Sequence, residues 1–152
     1  MIQRIQTLYL FVVALLMSLT LFMPIASFTV AGHTYELTAF TLRCGEASET
    51  TVWMGIMLSL AAALPLVNIF LFKRRVLQIR LCAVEIILLL GSLVMIGLYY
   101  WLTSRIFEGL VIEHRQFGWA APMPLVSLIL AYLASRAIFK DEMLVRSLDR
   151  IR

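Results

Sequence analysis

Charge is scarce in this sequence. Acidic and basic residues make up 14% of its 152 residues, against about a quarter in a soluble domain. So few charges, with four long apolar runs using most of the length, leave no room for a separate soluble domain. Cysteine and histidine are nearly absent, at two residues each. There is no Ser-His-Asp set, no glycine-rich phosphate loop and no His-Glu-x-x-His, so the chain lacks the residue patterns that announce hydrolase, nucleotide or zinc-protease chemistry. Neither an enzyme activity nor a cofactor is implied.

What is present is hydrocarbon. Hydrophobic residues make up 62% of the chain and the mean hydropathy is +0.93. The apolar runs cover residues 8–28, 52–72, 81–102 and 119–139. Each is close to the roughly 20 residues that carry a helix across a bilayer's hydrocarbon core. Backbone polar groups in lipid must bond within their own segment, so the runs predict helices. A barrel would need alternating segments of about ten residues. The first run follows Arg4, as a secretory signal would. It is longer than a typical signal's apolar region, and Met23-Pro24-Ile25-Ala26-Ser27 is a poor cleavage site, so it reads as an uncleaved anchor.

Charge distribution sets the expected orientation. Lys and Arg favour the cytoplasmic side of short loops. With both termini cytoplasmic, that side holds Arg4, Lys73, Arg74, Arg75, Arg80, Arg136, Lys140, Arg146, Arg150 and Arg152. These ten face three carboxylates, a balance of +7, whereas the outer side has three basic and five acidic residues, a balance of −2. Trp101, Tyr99, Tyr100 and Trp119 fall at the outer interface, as an aromatic belt. The predicted fold is therefore an all-α, four-helix membrane bundle of the cell inner membrane, in one domain.

The segments between the runs refine this picture. Residues 29–51 and 103–118 are expected outside. Apolar and polar residues alternate on both sides of Gly32-His33, the pattern of a β-hairpin. Residues 103–118 offer Ile106-Phe107 and Leu110-Val111-Ile112 as a further strand, giving a small periplasmic sheet over the bundle. Residues 44–51 read as irregular, or as the turn that starts the second helix. The 73–80 loop forces the second and third helices to be antiparallel neighbours. In the 140–152 tail, Leu144, Leu148 and Ile151 share a helical face. Glu142 and Arg146, and Arg146 and Asp149, stand at supporting spacings. The fourth helix should thus continue into the cytoplasm as an amphipathic extension.

Candidate functional residues are few. Glu85 alone is a charge well inside a run, and an ionisable intramembrane residue is a functional hypothesis. It lies about 6 Å past Leu81, at the depth of Asn68 on the neighbouring helix. A polar clamp between Glu85 and Asn68, or a nearby cation (Arg80, Arg75 or Arg4), is expected. His33 and His114 are outside, without a recognised metal-ligand spacing. Cys44 and Cys82 lie on opposite membrane sides and cannot bridge. Gly55, Ser59 and Ala63, then Ser127, Ala131 and Ser135, form small-residue stripes for close packing within the bundle or along a homo-oligomer seam. Pro65 should bend the second helix.

Three segments carry a resemblance: Met1-Ile2-Gln3-Arg4-Ile5-Gln6-Thr7-Leu8-Tyr9-Leu10, then Leu77-Gln78-Ile79-Arg80-Leu81, then the tail from Arg136 to Arg152. They resemble the small inner-membrane proteins of the Bacteroidota catalogued as domain of unknown function 4293. The resemblance covers the whole chain. It implies four helices and an inner-membrane location, and brings no activity, cofactor or catalytic residue.

The functional expectation is a non-enzymatic accessory or scaffold subunit. Its partner-binding residues would be Arg4, Arg74, Arg75, Gln78, Arg80, Lys140, Asp141, Glu142, Arg146, Asp149 and Arg150. The partners are a membrane protein complex, of secretion, translocation or envelope assembly, and anionic headgroups at the cytoplasmic face. Nucleic acid is not expected, since the basic segments lack interleaved aromatics. The alternatives are a small oligomeric transporter or channel lined by Glu85, Asn68 and Ser59, and a lipid- or quinone-binding protein with a groove near Pro65.

Overall fold

The structure, a computed structural model, describes residues 2–30, 32–44, 47–71, 74–106 and 112–149. Of residues 2–4, 44, 47–48, 75, 112–113, 146 and 148–149 it describes the backbone alone. The order is α1 (Ile2–Phe22), β1 (Ala26–Val30), β2 (His33–Leu37), β3 (Thr41–Cys44), β4 (Ala47–Thr50), α2 (Val52–Phe70), α3 (Arg75–Ile106), β5 (Ile112–Phe117) and α4 (Met123–Asp149). All four helices are long and apolar enough to cross a membrane.

The helices pack as a ring in which α1 touches α2 and α4, and α3 touches α2 and α4. Each neighbour runs antiparallel, so the sheet sits at one end of the bundle and both termini lie at the other. The distribution of side chains is that of a body dissolved in lipid. On α1, Ile5, Leu8, Phe11 and Leu15 are exposed, while Gln6, Leu10, Val13, Ala14 and Met17 are buried. On α3 the exposed set is Val84, Ile87, Val94 and Leu98, against buried Gln78, Cys82, Glu85, Leu89 and Ser92. Large apolar residues cover the outside, and the small and polar residues are turned inward among further apolar ones. Water would reject that arrangement; lipid tails accept it, since small interior residues let helices approach. The approaching face of α2 is Met54, Leu58, Ala61, Ala62, Pro65 and Asn68. Ala63, expected in the packing stripe, is exposed.

Three element boundaries differ from expectation. The first helix stops at Phe22, not residue 28. Met23 N–H makes the last helical bond, to Leu19 O at 3.0 Å, and Pro24 has no N–H to continue. Ala26 to Phe28 belong instead to β1. Ala47–Thr50 is not irregular but forms β4, paired antiparallel to β3, while Thr51 leads into α2 as expected. The third helix is far longer than 81–102, with 32 residues, or roughly 48 Å. A Cβ at Gly91 would meet Met57, which fixes the α2–α3 register. From that point α3 outruns the start of α2 by about ten residues, roughly 15 Å.

The expected hairpin over Gly32-His33 is present, with Gly32 at φ 77°, a left-handed angle that glycine adopts without strain. The segment expected to add a strand does so as β5, paired antiparallel to β1, but only from Ile112 onward: Ile106 closes α3, and residues 107–111 lie outside the described residues. The five-stranded order is β4-β3-β2-β1-β5. Phe28 pairs with Tyr35, and Ala26 with Leu37 and Phe117, so these side chains share the bundle-facing side. Tyr100 of α3 stacks on Phe117 at 4.7 Å and meets Phe28 at 5.2 Å between ring centroids. At the other edge Thr51 donates its N–H to Phe40 O at 2.8 Å and its hydroxyl to Ala39 O at 3.2 Å. Trp53, Trp101 and Trp119 are exposed near the sheet end.

Candidate functional site

The bundle interior is polar towards the end that carries the termini. Asn68 is fully buried near the end of α2. Its Nδ2 donates to Cys82 Sγ at 3.0 Å and to Gln78 O at 3.4 Å. Gln78 returns a bond from Nε2 to Asn68 O at 3.4 Å. The two helices are therefore stitched reciprocally where the chain turns between them. Residues 78, 82 and 85 fall on one face of α3, four and three apart, so Glu85 stands one turn above Cys82. Its side chain is 0% exposed. Neither carboxyl oxygen has a hydrogen-bond partner among the described residues. The same holds for Gln6 Nε2, Asn68 Oδ1 and Ser127 Oγ.

The expected clamp is thus built from other partners. Asn68 bonds to Gln78 and Cys82, and the bond foreseen between Asn68 and Glu85 is not formed. Glu85 does lie in the bundle interior. Gln78, assigned by sequence to the docking face, is buried and belongs to this interior cluster. The sequence raised Cys82 only as a disulfide candidate and assigned Gln6 no role. The spacing Gln78-Cys82-Glu85 is the signal that places the first of them beside Glu85.

The termini end also carries the basic residues. Arg74, Arg80 and Lys140 are exposed, and Asp141 and Glu142 are half-buried. Arg4, Arg75, Arg146 and Asp149 lie on described backbone, with their side chains outside the described residues, as is all of Arg150. The expected extension of the fourth helix is continuous to Asp149. Leu10 packs with Ala134 and Ile138, so the start of α1, eight residues earlier, falls near Met143. α4 continues past that level to Asp149, and Met143, Leu144 and Val145 are exposed at and just beyond it. Leu148 and Ile151, expected on the same stripe, lie outside the described side chains.

His33 and His114 are both exposed on the sheet. His33 pairs with Val30, and His114 with Thr29. Adjacent residues of β1 point to opposite faces, so the two imidazoles lie on opposite sides of the sheet and do not converge.

A protein-family match extends over residues 2–151, nearly the whole chain. The chain belongs to the family described as Domain of unknown function (DUF4293). No curated protein matches it. The DUF4293 description names no reaction, ligand or partner, so the chemistry of this DUF4293 chain has to be argued from its own side chains. Those are a stitched polar cluster around a buried carboxyl, and an exposed basic and apolar rim at the same end.

Proposed function

We propose that this protein is a non-enzymatic scaffold subunit of the inner membrane, with both termini in the cytoplasm, that docks a partner of a larger membrane complex through its basic end. The observation that carries this reading is the stretch of α4 at and just beyond the level where α1 begins. It holds Met143, Leu144 and Val145 exposed beside exposed Arg74, Arg80 and Lys140. Exposed apolar groups rimmed by charge are the usual composition of a contact surface. The charge balance supports the cytoplasmic assignment of that end.

The bundle axis argues against conduction. Between the lower polar cluster and the higher Thr20, Ser92 and Ser127 lie Met17, Leu58 and Leu89, all 0% exposed. Buried apolar side chains at that level favour the scaffold reading over a polar pore.

The test is site-specific photo-crosslinking at Leu144 in living cells, followed by purification of the full chain in mild detergent. The expected result is one discrete heterologous adduct, lost when Arg74 and Arg80 are both changed to Glu. Adducts to lipid or to a second copy only, or an adduct indifferent to the charge reversal, would sink the scaffold reading.

A further inference from the structure

Where α3 outruns α2, it stands beside the sheet with a space between them. The gap is a cavity of about 680 Å³ lined by Tyr35, Leu42, Glu49, Tyr99, Thr103 and Arg105, among others. That volume is within the roughly 300–1,000 Å³ of small-molecule sites. Its two walls follow from periodicity. Tyr99, Thr103 and Ile106 share one face of α3. Tyr35 shares the bundle-facing side of the sheet with Leu37, Leu37 pairs with Leu42, and Leu42 pairs with Glu49. The ring stack of Phe28, Tyr100 and Phe117 holds α3 to β1 and β5. The β3–β4 hairpin, at the other edge, spans the cavity.

We propose that this cavity binds the headgroup and glycerol region of a zwitterionic phospholipid bearing a primary ammonium, that is, phosphatidylethanolamine. Three features select it. The first is height. Arg105 lies over the Trp101 ring, 4.7 Å from its centroid, among exposed tryptophans at the level where aromatic side chains meet lipid headgroups. The second is apolarity on the lipid side. Leu102 and Ile106 line the cavity and are also exposed to the bundle's surroundings, so acyl chains leave it into the bilayer without crossing a polar wall.

The third feature is charge. Glu49 on the sheet and Arg105 on the helix bring opposite signs to one cavity. A phosphate next to Arg105 and an ammonium next to Glu49 use both, each through charge-assisted hydrogen bonds. A purely anionic headgroup meets the Glu49 carboxylate. A trimethylated ammonium has no N–H to give to Glu49 or to the hydroxyls of Thr50, Thr51 and Thr103, which also line the cavity.

The experiment is native mass spectrometry of the full chain, delipidated in mild detergent and titrated in turn with phosphatidylethanolamine, phosphatidylglycerol and phosphatidylcholine. The expected result is one tightly retained phosphatidylethanolamine, weakened roughly tenfold in each of Glu49→Gln and Arg105→Gln, the effect of losing one charge-assisted hydrogen bond. Both side chains are exposed, so neither change threatens the fold. Equal retention of the three lipids, or retention unchanged in both variants, would overturn the proposal.

Discussion

Glu85 is the residue whose placement is hardest to justify by stability alone. A buried polar group that meets no hydrogen-bond partner costs about 1–3 kcal/mol, and both its oxygens meet none among the described residues. Glu85→Leu should therefore stabilise the protein by about 1–3 kcal/mol, read as a rise in the thermal unfolding midpoint in detergent. A fall would mean that the carboxyl has a donor that holds it. The opposite sign is expected one turn away. Asn68→Ala removes the donor shared by Gln78 O and Cys82 Sγ and should lower stability by about 1 kcal/mol. If the carboxyl carries a stability cost, its presence belongs to function, as ionisable groups inside membranes generally do.

Among the elements, the joint between sheet and bundle depends on two glycines of unequal tolerance. A Cβ at Gly118 would fall on the Pro24 carbonyl, whereas one at Gly55 would fall on the Phe40 ring. Backbone held by β1 and β5 cannot retreat; a half-exposed ring can turn aside. Gly118→Ala should cost about 2–3 kcal/mol and Gly55→Ala under about 1 kcal/mol, measured by the same thermal midpoints. The helices and the Gly32 hairpin were legible in the sequence because length, hydropathy and alternation each leave a periodic mark. The β3–β4 hairpin was not. Thr41 to Thr50 holds few large apolar residues, and an edge hairpin derives its order from pairing to β2 rather than from a pattern of its own. The end of α1 was overrun because Ile25, Ala26 and Phe28 prolong the apolar run beyond the helix, although Pro24 marked the break. At the site, depth matching brought Asn68 and Glu85 to the same end of the bundle. It did not assign the bond, because a one-turn offset hands Asn68 to Cys82.

For the molecule as a whole, the segregation of charge makes the strongest prediction. Exposed Arg74, Arg80 and Lys140 gather at the termini end, and the sheet occupies the other. A reporter fused after Arg152 should be active only in a form that works in the cytoplasm, and an epitope inserted at Gly32 should be reached by antibody only from the opposite side of the membrane. The reverse pattern would move the proposed docking end to the wrong compartment. Ring order matters beyond orientation. The first and last helices touch each other, and the last strand in sequence pairs with the first. During synthesis, β1 keeps an open edge until β5 has left the ribosome, and α1 an open flank until α4 has followed. Assembly is thus completed by closure rather than by stepwise addition, so a nascent chain arrested before β5 is a natural target for membrane quality control.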